Sequence, residues 1–223
     1  MDPRPPVLRA FEGPRRRLIE ALRQQGIDDL AVLRAFDLVP RHLFVPDALR
    51  HQAYRDAALP IGRAQTISRP FTHALALQAL DLAGRERVLE VGSGSGFQTA
   101  LLAHLADHVY TIERIPELAA RARRTLTTLG IRNVSARVGD GAGGWAEHAP
   151  FDAILVSARA DEIASAWLEQ LAPEGRLVVP LGPPETQELV RVRRDRRGRL
   201  RRTSLGAARF VPLVQRRERG ERG

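Results

Sequence analysis

Short apolar-rich blocks alternate along this chain with longer stretches whose apolar positions recur every three or four residues. The blocks at 87–91 (RVLEV), 108–113 (HVYTIE), 133–138 (NVSARV), 151–156 (FDAILV) and 176–182 (RLVVPLG) read as strands. FDAILV is apolar at nearly every position, as a parallel strand covered on both faces must be. Helical spacing between them predicts helices over 97–106, 115–129 and 164–171. Upstream, Leu18, Ile19 and Leu22 set a helix over 15–25 that Gly26 ends, and Asp28 or Asp29 caps a second through about residue 37. Residues 71–82 make a third. The segment 38–62, LVPRHLFVPDALRHQAYRDAALPIG, is punctuated by proline and predicts short helices and loops. Beyond residue 182, the stretches 187–194 and 202–211 predict two strands about an arginine-rich turn containing Gly198. This order predicts an α/β fold: a doubly wound, mostly parallel sheet of seven strands with a terminal antiparallel hairpin and an N-terminal helical layer. The strand order at the hairpin edge stays open, and no internal repeat is present.

A chain of 223 residues is expected to form one domain. Its expected parts are a loose, proline-rich leader (1–14), an N-terminal substrate layer (15–83), an α/β core (84–182), the hairpin (183–213) and a basic tail (214–223). The segment 38–62 has no place in a minimal doubly wound unit, and such an extra N-terminal layer is expected to build a second ligand site over the first. The chain has no cysteine, which excludes disulfides, thiolate catalysis and zinc–thiolate sites; no metal is expected. No apolar run approaches the ~20 residues that cross a bilayer, so no membrane partner is expected and the location reads as cytoplasmic. The net charge of +9 is unevenly placed. Residues 191–223 hold 13 arginines against Asp195, Glu218 and Glu221, and the remainder of the chain is close to neutral. Such an end attracts nucleic acid or anionic surfaces, yet no aromatic side chain interrupts the arginines of 193–202 to stack on bases. A solvated hairpin tip and a frayed terminus are the favoured reading, and nucleic acid the disfavoured partner.

The candidate chemistry concentrates where strand 87–91 meets helix 97–106. Gly92, Gly94 and Gly96 alternate with Ser93 and Ser95, so the backbone can turn sharply and press against a ligand. The helix that follows would offer amide hydrogens and its positive end. A dinucleotide fingerprint needs Gly-x-Gly-x-x-Gly, and here the third glycine falls one residue early. Glu90 precedes the glycines, where it is expected to support the turn and the amino-acid end of the ligand. Glu113, followed by Arg114, ends the next strand 21 residues after Gly92, about where a carboxylate accepts both ribose hydroxyls. Gly139-Asp140-Gly141 puts another acid on the same sheet edge, near the base. Three acids, with no arginine or lysine inside the glycine turn, suit a cationic nucleoside better than a pyrophosphate. The pattern resembles the S-adenosylmethionine pocket of Rossmann-like class I methyltransferases; a generic nucleotide-binding strand with incidental acids is the plainer alternative.

Residues 65–70 read QTISRP. Ser68 stands where it would N-cap helix 71–82, with Pro70 tolerated in the first turn; residue types alone favour that structural role. His73, one turn on, reads equally as a surface residue. Larger segments carry more: VPRHLFVP (39–46), AYRDAALPIG (53–62), QTIS (65–68), VLEVGSGSGFQTALLAHL (88–105), IER (112–114), GDG (139–141), APFDAILVSA (149–158) and RFVPL (209–213). With these, residues 15–213 resemble the protein-L-isoaspartate O-methyltransferases. The resemblance implies that Ser68 is the active-site serine and that Thr66, His73 and the Val211 backbone face an isoaspartyl substrate. It also implies that Gln65, Thr66 and Ser68 join the glycine loop, Glu113, Arg114 and 139–141 around the cofactor. The implied reaction is methyl transfer from S-adenosylmethionine, leaving S-adenosylhomocysteine, to the α-carboxylate of isoaspartyl residues in proteins and peptides. The ester then cyclises to a succinimide that hydrolyses partly to aspartate. A carboxylate of pKa about 4 is already ionised near neutral pH, so alignment rather than a general base is expected to drive the step. Two departures stand out. Family members often have glycine where Ala64 stands, and small residues with proline where Arg159-Ala160-Asp161 stand; Arg159 could contact substrate or narrow the cleft. The rival readings are a methyltransferase of the same fold acting on a small molecule or biosynthetic peptide, and a non-catalytic nucleic-acid binder using the basic end.

Overall fold

The computed structural model describes Arg9 and residues 11–213. The expected basic tail and most of the leader lie outside them. The leader is shorter than expected, because helix α1 (Glu12–Gln24) already begins inside it. Helix α2 (Leu30–Leu38) starts at Asp29, whose Oδ1 accepts the Ala31 and Val32 amide hydrogens at 2.8 and 3.1 Å. Two 3-10 turns, Arg41–Phe44 and Asp47–Gln52, occupy the proline-punctuated segment. Its end departs from expectation: β1 (Leu59–Gly62) and β2 (Gln65–Ile67) form a small antiparallel hairpin. Arg63 and Ala64 make its two-residue turn, both at φ 55°. That left-handed pair is the backbone a twisted hairpin demands and glycine or asparagine usually supplies, which explains why glycine suits position 64.

Helix α3 (Pro70–Leu80) leads into the main sheet. The sheet consists of β3 (Arg87–Val91), β4 (His108–Glu113), β5 (Val134–Val138), β6 (Phe151–Val156), β7 (Leu171–Leu181), β8 (Gln187–Arg194) and β9 (Leu200–Ala208). The spatial order is β5-β4-β3-β6-β7-β8-β9, parallel through β7 and antiparallel across β7–β8–β9. The hairpin edge is thereby settled. Helix α4 (Phe97–Ala103) is shorter than the expected 97–106, α5 (Pro116–Thr128) crosses to β5, and α6 (Ser165–Glu169) precedes β7. β7 starts five residues before the expected strand: Leu171 pairs with Phe151, the chain loops out, and Arg176 pairs with Ala153. The last strand ends at Ala208, so 209–211 is not strand.

Apolar strands dictate the layering. Val88, Leu89, Phe151, Ile154 and Val178 are completely buried, as continuous apolar runs between two helical layers should be. β9 is one edge of the sheet and β5 the other, and the exposed Arg201 and Arg202 of β9 stand where charge discourages pairing with another chain. That gives the hairpin arginines a structural reason. No helix among the described residues is long and apolar enough to cross a membrane.

Candidate active site

The chain runs from β3 outward to β4 and returns to β6 on the other side, so a crevice opens beyond the carboxyl ends of these strands. Val91, Ile112, Gly139 and Ser157 form its floor, each at or just past a strand end. The cleft, with its mouth, holds about 800 Å³ of empty space. Gly92, Gly94 and Gly96 all take positive φ, at 92°, 53° and 86°. A Cβ at Gly96 would stand 2.8 Å from that of Ala122 on α5, and one at Gly141 only 2.4 Å from Val91 Cγ1. These glycines are needed to pack the loops tightly as well as to turn them.

The acids differ in what they do. Glu113 lines the cleft, and its two oxygens accept the Gly94 and Ile115 amide hydrogens, each at 2.8 Å. A carboxylate offers about four acceptor sites, so capacity for two ribose hydroxyls remains. Glu90 lies beneath the loop, fully buried and off the cleft, with Oε2 accepting the Thr99 and Thr111 hydroxyls at 2.5 and 2.6 Å. Burial pushes its carboxyl up to about 7. It staples α4 to β4 rather than meeting the amino-acid end of a cofactor. Asp140 is likewise off the cleft wall, and its Oδ1 accepts the Ala142 amide hydrogen at 3.0 Å, shaping the turn that presents Gly139 and Gly141. Several loop amides expected to meet a ligand are used internally: those of Gly92, Gly94, Gly96 and Phe97 go to Ile112 O, Glu113, Ser93 O and Ser95 Oγ.

Opposite this cradle stands the β1–β2 hairpin. Gln65, Thr66 and Ser68 all line the cleft, as does Arg114. Ser68 is not the helix cap that residue types favoured. Helix α3 begins at Pro70 with Arg69 at its N-cap, and the Phe71 amide hydrogen goes to Asp56 Oδ1 at 2.8 Å. His73 is not a surface residue either; it is 8% exposed and lines the cleft, with Nδ1 bonded to Gln98 Oε1. Burial, with the Arg41 charge adding, lowers its imidazolium to about 3, so the ring is neutral at physiological pH. Gln98 also lines the cleft, and residue-type reasoning missed it. Its position on α4 behind the third glycine was the available signal.

Residues 211–213 complete the cleft wall. Val211, Pro212 and Leu213 reach the cleft as a strap. Its Val211 carbonyl accepts the Arg159 amide hydrogen at 2.8 Å, and the Leu213 amide donates back to Arg159 O at 2.7 Å. Gln187 clamps Phe210 from below, its Oε1 accepting the Phe210 amide hydrogen at 2.7 Å and its Nε2 donating to Phe210 O at 3.2 Å. Arg159 itself turns away from the cleft to Gly182 O and Asp161; it anchors the strap and does not narrow the opening.

A parallel sheet with a glycine cradle at its switch point, a ribose-competent acid and a second wall of hydroxyl residues define a class I methyltransferase. The comparisons narrow this. A family model described as protein-L-isoaspartate(D-aspartate) O-methyltransferase matches residues 14–218. A protein-L-isoaspartate O-methyltransferase of Syntrophus aciditrophicus is 51% identical over 207 residues, 92% of this chain and 95% of that one. One from Anaeromyxobacter sp. Fw109-5 is 57% identical over 199 residues, covering 88% and 94%. Among solved structures, a protein-L-isoaspartate O-methyltransferase aligns with a TM-score of 0.80 at 28% identity, over 90% of this chain and 66% of that longer one. A Plasmodium falciparum protein assigned the same activity, in complex with S-adenosyl-L-homocysteine, gives 0.78 at 26% identity over 90% and 98%. The chain belongs to the protein-L-isoaspartate(D-aspartate) O-methyltransferase family.

Proposed function

We propose that this chain methylates the α-carboxylate of L-isoaspartyl residues in damaged proteins and peptides, the step that opens their conversion to aspartate. The observation that carries the reading is the shared cleft: Ser68 on the β1–β2 side faces the glycine cradle across it. S-adenosylmethionine, when bound, supplies an electrophilic methyl group on a positively charged sulfur and leaves as S-adenosylhomocysteine. Glu113 would accept the ribose hydroxyls while Gly139 and Gly141, held by Asp140, form the wall for the adenine. Gln65, Ser93 and Arg114 complete that side of the cleft.

On the substrate side the Ser68 hydroxyl donates to the carboxylate, with Thr66 beside it. The Val211 carbonyl is already occupied by Arg159, so the backbone group this residue would turn to substrate is its amide hydrogen. Neutral His73, held by Gln98, shapes the wall and is not asked to take a proton, because the attacking carboxylate has none to lose. Ser68 is no nucleophile in this scheme: His73 bonds an amide rather than a carboxylate, so no serine–histidine–acid relay is assembled. Catalysis is then chiefly alignment. A cytoplasmic location belongs to the same reading.

Paired peptides that differ only in an isoaspartyl or aspartyl linkage, incubated with methyl-labelled cofactor, test it. Selective labelling of the isoaspartyl peptide is expected. Ser68→Ala should lose most of the turnover while its affinity for S-adenosylhomocysteine changes little. Equal labelling of both peptides, or full turnover in the variant, refutes the assignment.

A further inference from the structure

Arg41 is 1% exposed, on the 3-10 turn beneath the β1–β2 hairpin. Its Nε donates to Ala53 O and its Nη2 to Ser68 O, both at 2.8 Å, and the guanidinium lies 4.8 Å over the Phe97 ring at the start of α4. Nη1 has no partner among the described residues, and no carboxylate there lies within ion-pair distance of the group. Asp56, the acid that acts on it most, is committed to Arg69 at 2.6 Å and to the Phe71 amide. A buried charge without a counter-ion is strongly unfavourable. Here it sits directly behind the serine that the reading above gives to an anionic substrate.

We propose that Arg41 is a positioning residue that makes the cleft selective for a carboxylate: it fixes the Ser68 backbone and finds its counter-charge only when an isoaspartyl carboxylate docks at Ser68. The inference rests on the function proposed above and deepens it. The kinetic consequence has a definite sign. The charge favours the ionised carboxylate most before transfer, since the oxygen loses its charge as the methyl group arrives. Arg41 therefore tightens substrate binding without accelerating the chemical step.

The test measures binding of two peptides to the protein saturated with S-adenosylhomocysteine, by calorimetry. One carries an isoaspartyl residue; the other has its α-carboxylate replaced by a neutral carboxamide. The wild-type chain should prefer the carboxylate by about tenfold or more. Arg41→Gln should reduce that preference to within about threefold, and Arg41→Lys, which keeps the charge, should retain most of it. In turnover, Arg41→Gln should raise KM with kcat held within about threefold. Unchanged S-adenosylhomocysteine affinity in both variants would show the cradle intact. A Gln variant that keeps the wild-type carboxylate preference overturns the proposal. So does loss of S-adenosylhomocysteine binding along with peptide binding, which would make Arg41 a staple of the fold. Failure of the wild-type chain to label isoaspartyl peptide would instead sink the functional reading.

Discussion

Replacing Glu113 with alanine separates what this residue does for the loop from what it does for the ligand. Its carboxylate currently accepts two backbone amide hydrogens at 2.8 Å, from Gly94 inside the glycine turn and Ile115 ahead of α5. A bond to a charged acceptor is worth about 1.5–3 kcal/mol. Both amides lie at the cleft, where water can replace the lost oxygens, so the cost to folding should stay near about 1–3 kcal/mol in total. Ligand binding loses more. The ribose contacts proposed for it would disappear and the Gly94 turn would have to be ordered by the ligand itself, which together should cost about 3–4 kcal/mol, or roughly 10²–10³ in affinity. Titration calorimetry with S-adenosylhomocysteine measures the second quantity and ligand-free thermal melting the first. An affinity within about threefold of wild type, beside a lowered melting temperature, would leave Glu113 a loop residue and refute the ribose assignment. Glu113→Gln refines the test, because its amide oxygen can serve one backbone donor but its NH₂ group opposes the other.

Gly96→Ala should destabilise the fold by about 2–5 kcal/mol, combining the left-handed backbone with overpacking against Ala122; a loss below about 1 kcal/mol in urea unfolding would contradict the packing argument. Glu90 ionises near 7 when folded and near its ordinary 4.5 when unfolded. The native state therefore holds the extra proton between those values, and stability falls as pH rises through that window, by about 3 kcal/mol once above it. Glu90→Gln removes the effect while keeping an acceptor for Thr99 and Thr111. The difference in unfolding free energy between the two proteins should slope from pH 4.5 to 7 and level beyond, and a flat difference would show that Glu90 is charged throughout.

Much of the parallel core was legible because β3, β4 and β6 are short, apolar-rich blocks with polar, proline or glycine residues on either side. β3, β4, β6 and β8 begin and end where the pattern placed them. The β1–β2 hairpin was not legible, since its turn uses Arg63-Ala64 in a backbone state that those residue types do not advertise. Ser68 was misplaced for a related reason: the α3 amide is capped by Asp56, fifteen positions upstream in sequence, and only tertiary structure brings it there. Glu113, the glycines and the 139–141 turn were readable as a cradle because spacing along a βαβ unit fixes their position. Arg41 and Gln98 lie inside VPRHLFVP (39–46) and the helix behind the glycines, yet residue type alone marked neither as a site residue. Arg41 is buried beneath the β1–β2 hairpin, and Gln98 reaches the cleft only through the packing of α4.

The strap at 210–213 also makes the substrate side of the cleft a joint product of two stretches far apart in sequence, 65–68 and 211–213. The glycine loop lies between them along the chain, on the strand ends of the sheet. A peptide therefore meets the whole of that wall only when both stretches are docked on the sheet.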